Sequence, residues 1–115
     1  MHMEALDRTL AALADPTRRR IVGRLARGSA TVSELVEGFE LTQPTISSHL
    51  KVLERSGLIS RSRVAQTRPC SLEPEGFRAL EVWLGQLRSV YEANYARLDQ
   101  VLEELKKQQG EKPAR

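Results

Sequence analysis

From Leu41 to Ile59 the chain reads LTQPTISSHLKVLERSGLI, and its front half gathers Thr42, Gln43, Thr45, Ser47, Ser48 and His49. These side chains are short or medium in length, polar and mostly uncharged, so they suit hydrogen bonding to another molecule. A glutamine amide can pair in a bidentate manner with the donor and acceptor of an adenine edge, and a threonine offers thymine a methyl group as well as a hydroxyl. The hydroxyls of Ser47 and Ser48 and the ammonium of Lys51 suit phosphate oxygens or base edges. In the same stretch Ile46, Leu50 and Leu53 fall at helical spacing, closed by Ser56-Gly57. Only a helix holds such an apolar set and such a polar set on different faces.

The elements around this stretch follow from spacing and punctuation. Glu4 to Ala14 carries Leu6, Leu10 and Leu13 as one apolar stripe. Asp15 reads as an N-cap with Pro16 at the first helical position. That helix runs to about Arg27, burying Ile21, Val22 and Leu25, and Gly28 ends it. Thr31 or Ser33 starts a short helix with Leu35, Val36 and Phe39 as its apolar residues, and Gly38 weakens its end. Thr42 caps the next helix, Pro44 is tolerated in its first turn, and Gly57 ends it in a left-handed conformation. On that helix Pro44, Ser48, Lys51 and Arg55 point away from the apolar residues, with Gln43, Thr45, Ser47 and His49 on the flanks.

After Gly57 the period changes. Leu58 to Val64 and Thr67 to Leu72 read as two extended segments joined near Ala65-Gln66, which predicts a hairpin. Pro69 limits the second segment to an edge or an irregular strand. Glu73-Pro74 then opens a helix that reaches at least Leu105; at ~1.5 Å per residue, about 30 residues span roughly 45 Å. The fold expected is mainly α: a winged helix-turn-helix with a two-stranded β-hairpin wing and terminal dimerisation helices, about 4–14 and 74–105. It forms one domain over residues 1–105, followed by a disordered tail at 106–115.

Composition bounds the function. The 115 residues fit one small domain, and the net charge of +3 permits an anionic partner without demanding one. The one cysteine, Cys70, excludes an intramolecular disulfide and a cysteine-rich zinc site. It reads as a small apolar filler or as a group that responds to oxidants or bonds a second protomer. No run is apolar enough to span a membrane, so a cytoplasmic location is expected. No glycine-rich phosphate loop and no nucleophile with a base are present, so an enzyme is not expected. Two Phe, one Trp and two Tyr are too few for a base-stacking RNA surface.

In a winged helix-turn-helix the second helix of the pair lies in the major groove of DNA and presents its N-terminal residues to base edges. Double-stranded DNA is thus the expected partner, contacted by Thr42, Gln43, Thr45, Ser47, Ser48, His49 and Lys51. Thr42 is expected chiefly as a cap, and His49 either bonds a phosphate or bridges to a neighbouring helix. Arg61, Arg63 and Arg68 on the hairpin suit phosphates or a minor groove. Of Arg18, Arg19 and Arg20, which span different helix faces, at most one or two reach DNA. The alternative is a dimerisation or adaptor module in which the winged helix binds protein.

The long helix carries a heptad-type seam through Leu84, Leu87, Tyr91, Leu98, Val101 and Leu105, with Asn94 as its polar member and Trp83, Val90 and Leu102 widening it. Asn94 fixes register or faces solvent. Its second half has little of its own chain left to cover, and Leu6, Leu10 and Leu13 are equally short of a partner. Both terminal helices are therefore expected to form a homodimer, and two-fold symmetry implies a palindromic operator.

The segments LADPTRRRIVGRLARG, TVSELVEGF, LTQPTISSHLKVLERSGLI and SLEPEGF resemble the ArsR/SmtB-like winged-helix repressors over about residues 5 to 105. The resemblance implies a homodimeric transcriptional repressor in which Gln43, Thr45, Ser47, Ser48 and His49 carry the DNA contacts. The wing departs in chemistry at Val64-Ala65-Gln66-Thr67. Many members sense metal ions, but the usual cysteine pair would fall near Val36 and Gly38, and the long helix has no histidine. The chain looks like the subgroup without metal ligands. No cofactor is expected, and the inducer is not legible.

Overall fold

The computed structural model describes residues 3–63 and 66–110. In chain order it has α1 (Met3–Ala12), α2 (Pro16–Leu25), α3 (Val32–Phe39), α4 (Gln43–Arg55), β1 (Ile59–Arg61), β2 (Cys70–Leu72), a 3-10 turn (Pro74–Phe77) and α5 (Arg78–Gly110). The chain divides into two compact units, one ending at Glu81 and the other starting at Val82.

Within the first unit, local chemistry sets the helix ends. Asp15 caps α2 by accepting from the Arg18 N–H at 3.0 Å, with Pro16 in the first turn. Thr31 and Glu34 form a reciprocal capping box: Thr31 Oγ1 accepts from the Glu34 N–H at 3.1 Å and Glu34 Oε1 from the Thr31 N–H at 2.8 Å. The box selects Thr31 over Ser33 as the start of α3. At the other end Glu40, not Gly38, takes the left-handed conformation, with φ 55° and its N–H bonded to the Val36 carbonyl at 3.0 Å. Gly57, at φ 77°, closes α4 as its position predicts.

The core gathers one face from each helix. Ile21 and Leu25 of α2, Leu35 of α3, and Ile46, Leu50 and Leu53 of α4 are buried together with Leu58, Ile59 and Cys70. Burial of each large aliphatic side chain stabilises the fold by about 1.5–3 kcal/mol. Cys70 has no exposed surface, so burial selects its role as a filler.

Each strand has three residues, fewer than expected. They pair antiparallel, Ile59 with Leu72, Ser60 with Ser71 and Arg61 with Cys70. Arg68 turns left-handed at φ 47° and Pro69 has no N–H to donate, so regular pairing stops there; Ser62 N–H still reaches the Pro69 carbonyl at 3.0 Å. Of the expected hairpin connection at Ala65-Gln66, Ala65 lies outside the described residues and Gln66 stands in a turn. Ala30 extends the sheet by a bridge to Cys70, exchanging N–H to carbonyl bonds of 2.7 and 3.0 Å.

The stripe on α1 is not short of partners within its own chain. Leu6 is buried, Leu13 packs on the core, and Leu10 is 39% exposed. The inward face of α1 also holds Thr9, which is buried and donates to the Ala5 carbonyl at 3.1 Å, with the Gly76 carbonyl 3.5 Å away. Gly76 is needed for close approach, since a Cβ there would collide with the Gly57 carbonyl and crowd Leu58 Cα. The Glu73 N–H adds a bond of 2.9 Å to the Leu58 carbonyl, locking the 3-10 turn to the start of the wing.

In the second unit α5 continues without a buried residue. It runs through Gly110, so residues 106–110 are helical rather than part of a disordered tail. Lys106, Lys107, Gln108 and Gln109 are good helix formers, and the lysines complement the negative end of the helix dipole. Residues 111–115 lie outside the described residues.

Candidate nucleic-acid interface

The buried stripe of α4 fixes what its other faces present. Ile46, Leu50 and Leu53 are at most 1% exposed and face the core. Thr42, Gln43, Thr45, Ser48 and Lys51 are exposed and Ser47 is half-buried, as the helical spacing predicts. The Thr42 hydroxyl caps α4, accepting from the Thr45 N–H at 3.3 Å, and donates its own proton to Thr45 Oγ1 at 2.8 Å. Thr42 is thereby committed to the cap. Thr45 keeps its hydroxyl proton and methyl group for an outside partner. Gln43 borders an open groove of about 260 Å³ lined by Val32, Ser33, Glu34, Val36 and Glu37.

His49 is half-buried and faces α2. Its Nδ1 accepts from Arg18 Nη1 at 3.2 Å, and its Nε2 lies 3.9 Å from Asp15 Oδ2. Of the two alternatives for this residue, the bridge to a neighbouring helix is the one formed. Asp15 is held below the usual carboxylate range, chiefly by the Arg18 N–H that it accepts; partial burial opposes this, and the nearby His49 and Arg18 add to it.

The three consecutive arginines are occupied too. Arg18 Nε donates to the Ala12 carbonyl at 2.6 Å, and Arg19 Nη1 to the Leu13 carbonyl at 2.8 Å. Arg20 stacks over the Phe39 ring with its guanidinium carbon 4.8 Å from the centroid. Sequence reasoning missed these roles: pattern within one helix does not show which carbonyls of the preceding helix lie within reach. On the wing, Arg63 and Arg68 are exposed. Arg61 is half-buried, and among the described residues its Nε has no hydrogen-bond partner.

The described residues hold no group of three or more His, Cys, Asp or Glu side chains placed to bind a metal. Val36 and Gly38 occupy α3 with no ligating atom in their side chains. No helix among the described residues is long and apolar enough to cross a membrane.

A trihelical core, a helix-turn-helix and a short antiparallel wing define a winged-helix DNA-binding fold. Residues 15–61 match the family model described as "Bacterial regulatory protein, arsR family". The HTH-type transcriptional regulator Rv2034 of Mycobacterium tuberculosis is 39% identical over 92 residues, covering 80% of this chain and 86% of that protein. The transcriptional repressor SdpR of Bacillus subtilis is 36% identical over 61 residues, 53% of this chain and 68% of its own. Among solved structures, the ArsR family transcriptional regulator RHA00566 superposes with a TM-score of 0.69 at 44% identity, covering 77% of this chain and 98% of that one. The chain belongs to the ArsR family of winged helix-turn-helix transcriptional regulators. It is a DNA-binding protein and not an enzyme, and the adaptor reading gives way to this.

Proposed function

We propose that the protein is a cytoplasmic homodimeric repressor that reads a palindromic operator through α4 and is not governed by a metal ion. The observation that carries this is the division of α4 into a fully buried stripe and an exposed polar start. Gln43 and Thr45 reach base edges, Ser48 and Lys51 take phosphates or bases, and Arg63 and Arg68 of the wing meet the backbone. Ser47 and Arg61, both half-buried, join at the margins of the contact. The dipole of α4 favours a phosphate at its N-terminus.

Dimerisation is supported by α5, where Leu84, Tyr91, Leu98 and Leu105 recur every seven residues and each is at least half exposed. Val101 at 49% belongs to the same seam, and the half-buried Leu87 lies beside it. Such a repeat buries its surface against a second copy more economically than against water. Leu10 is the residue of α1 left to contribute, since Leu6 and Leu13 are taken up within the protomer. Two copies related by two-fold symmetry present two reading helices. The lack of ligating side chains at Val36 and Gly38 supports a signal other than a metal.

Gln43→Ala tests the reading. It is expected to cost about 1–3 kcal/mol on the preferred duplex and to relax selectivity at one base pair. A variant that discriminates between preferred and altered duplexes as the wild type does would rule out base reading by Gln43.

A further inference from the structure

We propose that Arg18 is a positioning residue for DNA reading, tying the end of α1 to the His49 ring and so setting the seat of α4. The inference rests on α4 being the reading element. One guanidinium serves three acceptors. Nε donates to the Ala12 carbonyl at 2.6 Å, Nη2 lies 3.5 Å from the Ala11 carbonyl, and Nη1 donates to His49 Nδ1 at 3.2 Å. Ala11 and Ala12 close α1, where helix carbonyls lack partners from their own helix; the Ala11 carbonyl also accepts from the Ala14 N–H at 3.2 Å.

Arginine has no acceptor, so in this contact Nη1 donates and Nδ1 accepts. The other ring nitrogen, Nε2, lies 3.9 Å from Asp15 Oδ2. Asp15 in turn accepts from the Arg18 N–H at 3.0 Å, so the start of α2 holds the ring at Nδ1 and sets a carboxylate beside its other edge. His49 lies one turn beyond Thr45 and next to Ser48. The buried stripe sets the rotation of α4, and holding the His49 ring adds a tie beside the reading face. A recognition surface works only when held to within about 0.5 Å. A lysine keeps the charge but lacks the planar fork that spans carbonyl and imidazole.

The probe is a duplex that the wild-type protein selects from a random-sequence library. Arg18→Lys and His49→Leu are each expected to weaken its binding about tenfold, the loss of a hydrogen bond to a charged group. The double variant should be no weaker than either single within about twofold, because both remove one link. His49→Asn, whose amide oxygen replaces Nδ1 as acceptor, should bind within about twofold of wild type, with the salt dependence unchanged. Additive losses would overturn the proposal. So would His49→Asn binding as weakly as His49→Leu with a shallower salt slope, which would make His49 a direct phosphate contact. If Arg18→Lys does not fold, the two His49 variants decide the matter on the same terms. Gln43→Ala in parallel separates the two levels: loss of its effect removes α4 reading itself, whereas failure of the Arg18 and His49 pattern with that effect intact removes only the positioning link.

Discussion

Asp15 combines a local role that spacing reveals with a distant one that it does not. Its capping of α2 is written in the Asp-Pro pair, because an N-cap involves only residues three apart in sequence. Its approach to His49 and the fork of Arg18 depend on how α4 packs across α2, and no periodicity encodes that. The lowered pKa of Asp15 has a consequence for acid stability. A carboxylate depressed in the folded state stabilises the fold fully above its unfolded value of about 3.9 and loses that contribution as pH falls through the folded value. Asp15→Asn keeps the cap without the titration, so its melting temperature should approach that of wild type as pH falls below 4 from a deficit at pH 7. Parallel melting curves across that range would show that the carboxylate charge is immaterial. Gly76 was visible only as part of the segment SLEPEGF, and its purpose appears once Gly57 is seen against it. Gly76→Ala should lower stability by about 1–3 kcal/mol in denaturant titrations, the cost of overpacking against backbone. An unchanged midpoint would mean that the 3-10 turn shifts freely.

At the scale of the element, the helices were legible because their caps and apolar stripes are local signals. Thr42, Thr31 and Gly57 each act within four residues of the group they satisfy. The ends of α3 and of the strands were less so. Gly38 is the better residue for a left-handed turn, yet Glu40 takes it, because Thr42 must begin α4 and three residues join the two helices. Glu40 thus holds an unfavourable backbone conformation and sets a carboxylate at the negative end of a helix dipole. Glu40→Gly should raise stability by about 0.5–1 kcal/mol, the entropic cost of glycine in the unfolded chain limiting the gain. A loss of stability in the same assay would mean that the Glu40 side chain supports the turn. The strands are short because Arg68 and Pro69 interrupt the pairing, and the sequence marked only the proline. Residues 106–110 carry no apolar pattern, and their intrinsic helix propensity carries α5 onward.

For the whole molecule, the sequence made the seam on α5 plain through its seven-residue recurrence. Near the start of the chain Leu6 is buried and Leu13 packs on the core of the protomer, which leaves Leu10 as the exposed leucine of that stripe. Replacing both Leu98 and Val101 with Glu should convert the dimer to monomer by light scattering, since four carboxylates would face one apolar seam. A mass that remains dimeric would move the interface elsewhere. Chelator treatment and added zinc should each leave duplex affinity unchanged, whereas a metal-dependent loss would place ligands that side-chain chemistry does not suggest. The central claim joins symmetry to reading: two copies aim two α4 helices at one duplex. Selection of bound duplexes from a random-sequence library measures this most directly. It should return an inverted repeat whose half-sites lie about 10–10.5 base pairs apart, or a multiple of this, centre to centre. Recovery of a single unrepeated site, or no enrichment at all, would contradict it.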